Sequence, residues 1–381
     1  MIRDLTDAEA RAALVNKWAV PDDVLPAWVA EMDYAVAPAI TRALHEAVER
    51  GVTGYPALEH DGGALGAAYA GFARRRHGWE VDPGLVLPTV DVSAGVRLVL
   101  DALSDPGPVV LPLPAYAPQL DLPGVTGRER WDLPVTPDGD AYALDLDHLE
   151  RLLERGARTL LLTQPHNPCG HVHTRAELEA VRDLVVRHGA RVVSDEIHAP
   201  LVLPGAEHVP YLSLEGTADH AVALVAASKA FNTAGLKCAQ VVSGDAATHA
   251  RLTAVPMVRN DSWSSLGVVA SVAAYTEGDA WLDALLVRLD EQRSLLADLL
   301  AEHLPAARMR PLEATYLAWL DLRSSGHDDP AAVALERGRV RLAPGHDYHP
   351  GLVGHARLNV ATSATRLSEI VRRLAVALSP R

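Results

Sequence analysis

Short apolar runs alternate with amphipathic stretches through the middle of the chain. The runs of strand length are residues 84–87, 158–163, 191–194, 221–226 and 238–243. Residues 93–103 and 174–188 have helical spacing, and Thr174 and Glu177 are placed as a capping box at the start of the second helix. Continuous apolar strands separated by helices are typical of a sheet that is covered on both faces. The pattern therefore predicts an α/β fold with a mostly parallel sheet sandwiched by helices.

The pattern changes after about residue 280. A long helical stretch at 281–304 is followed by a strand-like run at 315–322, a helix near 330–337, a Gly/Pro-rich loop at 344–354, a strand at 356–360 and a final helix. These elements predict a smaller C-terminal α/β domain. The predicted division is residues 1–45 as a segment that contributes to the small domain and the active site, 46–280 as the large domain, and 281–381 as the small domain.

Composition and charge exclude several classes of protein. The 381 residues carry 35 Lys and Arg against 49 Asp and Glu, a formal net charge of −14, so the chain lacks the basic surface that nucleic acid or an anionic membrane requires. No apolar run approaches the ~18 residues of a membrane span, and the first residues carry charge where a signal peptide needs an apolar stretch. Cys169 and Cys238 are too few for a disulfide framework. We expect a soluble, cytoplasmic globular protein.

Each of three central strands is followed by a polar residue that is out of place in a core. Asn167 follows the first of these strands, Asp195 the second and Lys229 the third. Because ligands bind beyond the carboxyl ends of strands in α/β sheets, an amide, a carboxylate and an amine are expected to converge at one edge. The chain has three lysines, Lys17, Lys229 and Lys237, so few residues could serve as a lysine nucleophile.

Eight short motifs occur in a fixed order along nearly the whole chain. They are LPAWVAEMDY at 25–34, GYP at 54–56, PAYAP at 114–118, PHNP at 165–168, SDEIH at 194–198, SKAFNTAGLK at 228–237, TYLAWLD at 315–321 and RLN at 357–359. With these motifs the sequence resembles the pyridoxal-phosphate enzymes of fold type I. Within them it is similar to the cystathionine β-lyases and cysteine C–S lyases that are grouped with the class I and II aminotransferases. The resemblance implies pyridoxal 5′-phosphate (PLP) as the cofactor.

The resemblance also assigns the chemistry to particular residues. Lys229 matches the Schiff-base lysine, which links the cofactor and later removes the Cα proton of the substrate. Asp195 matches the carboxylate beside the pyridine nitrogen, where a buried anion favours the protonated ring. Tyr116 matches the aromatic residue that stacks on the ring. Asn167 and His198 fall where the family directs hydrogen bonds at the phenolic oxygen of the ring.

The cofactor phosphate needs N–H donors and positive charge. Thr89 and Val90 immediately precede a predicted helix, whose first backbone N–H groups are suited to an anion. The neighbouring Asp91 is expected to point away as a helix cap. Ser228 and Lys237 are the implied side-chain contacts to the phosphate, although a lysine lacks the forked geometry of the arginine that many aminotransferases have there.

Two further matches concern the substrate and the assembly. Arg357 matches the arginine that binds the substrate α-carboxylate through a forked pair of hydrogen bonds. Tyr55 matches a tyrosine that contacts the phosphate in the neighbouring subunit, so the resemblance implies a homodimer with shared active sites. The implied reaction is β-elimination from an L-cysteine S-conjugate such as cystathionine, which yields a thiol, pyruvate and ammonia.

Alternatives to this reaction stay open. Transamination shares its early steps with β-elimination, and the sequence does not decide between them. Decarboxylating or oxidative chemistry on a specialised metabolite is a further option, because the sequence departs from the family pattern at Glu31, Pro200, Ala226 and residues 361–363. A non-catalytic binding protein with the same fold is the remaining alternative. The joint presence of Lys229 with the other cofactor residues argues against it.

A local cluster also raises the question of a metal. His166, Cys169, His171 and His173 lie close together in the sequence, and all are possible zinc ligands. No second group of ligands stands elsewhere in the sequence. We therefore expect solvent-exposed loop histidines and predict no metal.

Overall fold

The structure is a computed structural model that describes residues 2–57, 62–138 and 141–379. The strands in these ranges are β1 (Leu25–Pro26), β2 (Val86–Thr89), β3 (Val109–Leu113), β4 (Arg130–Asp138), β5 (Ala141–Leu144), β6 (Thr159–Thr163), β7 (Arg191–Asp195), β8 (Ala221–Val225), β9 (Ala239–Ser243), β10 (Leu317–Asp321), β11 (Val340–Arg341), β12 (Ala343–Pro344) and β13 (His355–Asn359). The α-helices are α1 (Asp7–Ala13), α2 (Pro38–Glu49), α3 (Gly63–His77), α4 (Val92–Ala102), α5 (Ala117–Val125), α6 (Leu146–Glu154), α7 (Arg175–Arg187), α8 (Ala246–Thr253), α9 (Ser265–Glu277), α10 (Asp279–His303), α11 (Pro330–Gly338) and α12 (Ala364–Leu378).

The central element is an eight-stranded sheet with the strand order β2-β9-β8-β7-β6-β3-β4-β5. The pairs from β8 through β7, β6 and β3 to β4 are parallel. The remaining pairs, β2 with β9, β9 with β8 and β4 with β5, are antiparallel. The carboxyl ends of β6, β7 and β8 therefore meet at one edge of the sheet.

Strand β6 shows why its apolar run is continuous. Leu161 belongs to a core cluster that also contains Val96 of α4. Leu160 and Leu162 belong to a second cluster, which contains Leu178 of α7. Successive side chains of a strand point to opposite faces, so a strand with helices on both sides needs apolar residues at every position. The fold class predicted from the sequence is thus confirmed.

The predicted elements mostly match the observed ones. The α7 capping box forms: Glu177 N–H donates to Thr174 Oγ1 at 3.2 Å, and Thr174 N–H donates to Glu177 Oε2 at 2.7 Å. The strand expected at 84–87 begins two residues later, because a short 3₁₀ turn capped by Asp82 comes first. β9 runs antiparallel, which an apolar run cannot reveal, since both orientations bury the same side chains.

The C-terminal part forms a smaller α/β unit. β10, β13 and β12 make a three-stranded antiparallel sheet, and α10, α11 and α12 pack beside it. The N-terminal segment lies against this unit, because β1 pairs in parallel with β11. Asn359, at the end of β13, donates through Nδ2 to the carbonyl oxygens of Val29 and Glu31, both at 2.7 Å. The domain boundaries at residues 45 and 280 stay a prediction.

A buried group of charges connects the N-terminal segment to α12. Asp33 Oδ1 lies 3.0 Å from Lys17 Nζ and accepts a hydrogen bond from Trp18 Nε1 at 2.9 Å. Its other oxygen, Oδ2, lies 3.3 Å from Arg366 Nη1. Asp33 and Lys17 are both fully buried, and burial lowers the pKa of Lys17 while Asp33 opposes that effect. Asp33 is therefore the counterion of the buried Lys17, and it also contacts the partly buried Arg366, which pairs with Asp7 as well.

None of the helices in the described ranges is long and apolar enough to cross a bilayer.

Asp33→Ala should lower the free energy of unfolding by about 3–5 kcal/mol, because it leaves the fully buried Lys17 ammonium without its counterion. Urea unfolding followed by circular dichroism measures the change. Asp22→Ala is the control, since Asp22 is fully exposed and its 3.4 Å pair with Arg11 is a surface contact, worth about 0–1 kcal/mol. Equal effects of the two substitutions would contradict the anchoring role of Asp33.

Candidate active site

A cavity of about 260 Å³ lies at the carboxyl edge of the central sheet. Asp195 is the last residue of β7, and Asn167 and Lys229 stand in the connections that follow β6 and β8. The structure brings most of the predicted site residues together here. The predicted residues that line the cavity are Val90, Tyr116, Asn167, Asp195, His198, Ser228, Lys229, Lys237 and Arg357. Thr89 and Tyr55 do not line it.

Lys229 is held inside the cavity with little hydrogen bonding. Its Nζ lies 3.5 Å from the carbonyl oxygen of Ala30. Burial lowers the pKa of Lys229 to about 8, and the positive charge of Arg357 acts in the same direction. A larger neutral fraction at neutral pH makes the amine a better nucleophile and base.

Asp195 is buried and hydrogen-bonded on both oxygens. Oδ2 accepts from Gln119 Nε2 at 2.8 Å, and Oδ1 accepts from the Ile197 N–H at 3.2 Å. Burial nevertheless raises the pKa of Asp195 to about 7. An anion in this position is strongly stabilised by any cation that binds beside it.

Gln119 is a site residue that the sequence reasoning missed. It lies in the first turn of α5, and its Oε1 accepts from Thr163 Oγ1 at 3.0 Å while its amide group donates to Asp195. Thr163 ends β6, so a chain of two hydrogen bonds joins neighbouring parts of the edge. A single Gln on a short helix carries no sequence signal for this role.

Arg357 comes from β13 of the C-terminal sheet and lies across the cavity. Nη1 donates to Asn167 Oδ1 at 3.0 Å, and Nη2 donates to the Trp28 carbonyl oxygen at 2.8 Å. Nε is buried and finds no hydrogen-bond partner among the described residues. Since Asn167 accepts through Oδ1, its Nδ2 remains as a donor toward a ligand.

His198 and Tyr116 complete the lining around Asp195. His198 is buried, and this burial lowers the pKa of its ring to about 3, so the imidazole is neutral. Its Nδ1 has no partner within the described part of the chain. Tyr116 precedes α5 and stays partly exposed, although burial of its hydroxyl raises its pKa.

The start of α4 forms the other end of the cavity. Asp91 caps this helix through Oδ1, which accepts the Ala94 N–H at 2.9 Å, as predicted. The expectation that its carboxylate points away is wrong, because Oδ2 accepts from Lys237 Nζ at 3.1 Å and both residues line the cavity. Thr89 Oγ1, at the end of β2, is buried without a hydrogen-bond partner in the described ranges.

The N-terminal segment supplies one wall of the cavity, through Val29 and Ala30. Tyr316 Oη donates to the Ala30 carbonyl oxygen at 3.0 Å. Asn232 holds the backbone of Met32 from both sides, with both hydrogen bonds at 2.9 Å. These residues belong to three of the sequence motifs. No role was predicted for them, because every residue type offers the same backbone groups to a hydrogen bond.

Tyr55 lies outside this cavity and is fully exposed. It lines a separate surface groove between residues 52–56 and 261–266. Within the single chain it therefore has no contact with the predicted cofactor residues.

The histidines near Asn167 are not exposed, contrary to the expectation from the sequence. His166, His171 and His173 are all buried. Cys169 is buried in a different group of side chains, where it packs with Trp319 and Tyr348. The four residues thus separate into two environments, because the tight turn at residues 166–171 reverses the chain between them.

Comparisons with known proteins agree with this geometry. Residues 28–374 match the family described as aminotransferase class I and II. The cystathionine beta-lyase of Corynebacterium glutamicum is 37% identical over 95% of this chain and 96% of its own length. The chain belongs to the class I and II aminotransferase family. The resemblance seen in the sequence is confirmed.

Solved structures of this family superpose over almost the whole chain. Cystalysin from Treponema denticola, whose structure contains a pyridoxal 5′-phosphate cofactor, has a TM-score of 0.91 and 26% identity over 99% of both chains. N-succinyldiaminopimelate aminotransferase from Mycobacterium tuberculosis has a TM-score of 0.87 and 28% identity over 97% of this chain and 96% of its own. The family thus includes lyases and transferases on the same fold.

The raised pKa of Asp195 predicts a pH dependence of stability in the ligand-free protein. Below the unfolded pKa of about 4 both states hold the proton, so the carboxyl has no unfavourable effect. Between that pH and the folded pKa of about 7 the folded state loses stability as pH rises, and above it the loss is constant.

Asp195→Asn removes this ionisation. As pH rises from about 4 to about 7, the free energy of unfolding of the wild type should fall relative to that of the variant, by at most about 1.4 kcal/mol per pH unit. Urea titrations of the ligand-free proteins at several pH values measure it. A difference that is constant across this range would show that burial does not disfavour the Asp195 anion.

Proposed function

We propose that the chain is a PLP-dependent C–S lyase that catalyses β-elimination of an L-cysteine S-conjugate such as cystathionine. The observation that carries the proposal is the convergence of Lys229, Asp195 and Arg357 on one cavity. The products are a thiol, pyruvate and ammonia. The family relationship and the C. glutamicum relative named cystathionine beta-lyase support this reaction.

The residues of the cavity fit PLP. Lys229 offers the amine that holds the cofactor, and Asp195 offers a buried carboxylate whose unfavourable charge is relieved by a protonated pyridine nitrogen. Asn167 has its amide N–H₂ directed away from its bond to Arg357, and Tyr116 is the available aromatic face. The unpartnered hydroxyl of Thr89 and the start of α4 suit the phosphate.

Lys237 and Ser228 complete the proposed phosphate end. Lys237 adopts a left-handed backbone conformation, with φ of 53°, two residues before β9 begins, and its Nζ lies beside Asp91. We expect the lysine to exchange this carboxylate for the dianionic phosphate, which carries more charge. Ser228 lines the cavity next to Lys229 and offers a hydroxyl donor.

Arg357 and Lys229 act on the substrate. Arg357 is positioned to bind the α-carboxylate, and its charge is close enough to Lys229 to lower the pKa of that amine. Because Arg357 and Lys229 line the same cavity, we expect the Cα of a bound amino acid to lie near Nζ, which accepts the Cα proton. When bound, PLP supplies the electron sink for this proton removal. The C–S bond then breaks as a double bond forms between Cα and Cβ, and its electron pair leaves with sulfur, which takes up a proton to give the thiol. One water molecule then hydrolyses the released amino acid fragment to pyruvate and ammonia.

Cysteine conjugates should react faster than their serine analogues. A thiolate, with a thiol pKa of about 8.5, is a far better leaving group than an alkoxide. Cystathionine is one example of the substrate class.

Transamination is the second candidate, because a family member with the same fold is named an aminotransferase. In transamination Lys229 would carry the Cα proton to a carbon atom of the cofactor, and no substituent would leave from Cβ. A decarboxylating or oxidative reaction would likewise start from the same residues. The cytoplasmic location expected from the sequence stays a prediction.

A panel of cysteine S-conjugates, including cystathionine, should yield pyruvate and thiol in equal amounts with no added keto acid. Pyruvate is measured with a coupled dehydrogenase and thiol with a colorimetric reagent. If the same panel gives no pyruvate while amino groups move from an amino acid to a keto acid, the protein is a transferase.

Lysine variants locate the chemistry. Lys229→Ala should abolish turnover. After borohydride treatment of this variant, mass spectrometry of its peptides should detect no covalently attached cofactor. Lys237→Ala is the matched control: we expect weaker cofactor binding with the attachment at Lys229 intact. Borohydride-fixed cofactor in Lys229→Ala would refute the assignment.

We also propose a homodimer with shared active sites. The support is Tyr55, a large aromatic residue that is fully exposed in the single chain and lines a groove beside residues 261–266. The resemblance assigns this residue to the phosphate of the neighbouring subunit. An exposed tyrosine with an apolar ring and a polar end is suited to such an interface.

Mixing two inactive variants tests the shared site. Lys229→Ala and Tyr55→Ala chains, refolded together in equal amounts, should recover about a quarter of wild-type turnover, because half of the dimers are mixed and each has one intact site. Sedimentation should show dimers for both variants. No recovery in verified mixed dimers would place Tyr55 outside the partner's site.

A further inference from the structure

His171, His173 and Glu177 form a cluster outside the active-site cavity. One ligand atom from each lies within 4.8 Å of the others. Glu177 Oε1 is 3.7 Å from His171 Nε2 and 3.9 Å from His173 Nδ1. None of the three residues lines the cavity that holds Lys229.

The start of α7 explains how Glu177 is aimed. Its Oε2 completes the capping box by accepting from the N–H and the hydroxyl of Thr174, at 2.7 Å and 2.9 Å. The capping box fixes the carboxylate, and Oε1 remains directed at the two imidazoles. Helix capping and the cluster therefore use different oxygens of the same side chain.

His173 is the residue that needs a ligand. It is fully buried, and both of its ring nitrogens lack a hydrogen-bond partner among the residues that the structure describes. The 3.9 Å separation from Glu177 Oε1 is too long for a hydrogen bond. A buried polar group without a partner is unfavourable and rare in folded proteins.

His171 has the arrangement of a supported metal ligand. Its Nδ1 lies 2.8 Å from Glu313 Oε2, and that oxygen also accepts the Val172 N–H at 2.8 Å. The Nε2 faces Glu177 and has no hydrogen-bond partner in the described ranges. A carboxylate on one imidazole nitrogen fixes the ring and makes the other nitrogen a better metal ligand.

We propose that His171, His173 and Glu177 bind a divalent zinc ion, with the fourth position left to water. Two nitrogen atoms and one carboxylate oxygen are a usual ligand set for zinc. Ligand atoms around tetrahedral zinc stand about 3.3–3.5 Å apart. The two distances from Glu177 Oε1 exceed this by only a few tenths of an ångström. The proposal differs from the expectation, drawn from the sequence, that no metal is bound.

A proton on His171 is the competing explanation. An imidazolium at His171 would donate from Nδ1 to Glu313 Oε2 at 2.8 Å and would face Glu177 Oε1 at 3.7 Å, so its charge would balance both carboxylates. This explanation leaves His173 unsatisfied, because that ring shares no hydrogen bond with either carboxylate. A metal ion would bind one nitrogen of each histidine together with Glu177 Oε1, so it would give His173 a partner that the proton on His171 does not provide.

The ion would stabilise the turn at residues 166–171, which contains Asn167. Gly170 N–H donates to the His166 carbonyl oxygen within this turn, and the Gly170 carbonyl oxygen accepts the N–H groups of Glu313 and Ala314. Binding at His171 and His173 joins the turn to α7. The ion is thus structural, and the proposal is independent of the reaction at Lys229.

The test uses the PLP-loaded protein, stripped of metal with a chelator and then titrated with Zn²⁺ or Co²⁺. We expect one Zn²⁺ per chain by elemental analysis after gel filtration, the visible bands of tetrahedral Co²⁺, and a higher Tm with Zn²⁺. Less than a tenth of an equivalent bound, or a Tm that Zn²⁺ does not raise, would overturn the proposal.

Variants assign the ligands. His173→Phe and Glu177→Gln should both lose the bound metal and the increase in Tm. Glutamine keeps the capping box, so Glu177→Gln still tests the site if His173→Phe folds poorly. Glu313→Gln should weaken binding by about tenfold to a hundredfold. Glu179→Gln, at a half-exposed position on the same helix outside the cluster, should bind like the wild type. Undiminished binding by Glu177→Gln would refute this site.

Discussion

Burial of the central sheet on both faces leaves its edge as the place where polar chemistry can stand. Between the helix layers, β6, β7 and β8 have only small or apolar side chains apart from Thr159, Thr163, Arg191, Ser194 and Asp195, and Arg191 lies at the opposite end of β7 from Asp195. Parallel pairing then brings Asp195 beside the connections that contain Asn167 and Lys229. The position of the active site is therefore a consequence of packing, and the identity of the residues at the edge decides what it can bind.

Desolvation shapes the electrostatics of this edge. It raises the pKa of Asp195, lowers that of Lys229 and lowers that of His198. Each group is thus shifted toward its neutral form while no ligand is bound. A cofactor with a cationic ring nitrogen and an anionic phosphate would favour the charged forms of the oppositely charged groups beside it. Binding of the cofactor and ionisation of the site are therefore coupled.

The sequence predicted most of what depends on side-chain pattern. Apolar runs identified β6 to β9, and Thr174 with Glu177 identified the start of α7. Features that depend on backbone contacts or on long-range placement escaped prediction, as with Gln119, whose partner Asp195 is distant in sequence. Burial of His171 and His173 escaped for a similar reason, since their cover comes from α7 and Glu313. Residue roles drawn from the resemblance, such as those of Tyr55 and Ser228, stay predictions.

The wall formed by the N-terminal segment has a consequence for synthesis of the chain. Residues 25–33 hydrogen-bond to residues 339–361, so the ribosome makes the two partners roughly 300 residues apart, or about 15–60 s at ordinary elongation rates. Met32 and Tyr34 are fully buried in the folded protein, but during that interval they lack their final neighbours from the C-terminal unit. The large sheet can form earlier, but the cavity closes only after β13 has emerged. The complete cavity is therefore available to a cofactor only after β13, which contains Arg357, has been synthesised and has met residues 25–33.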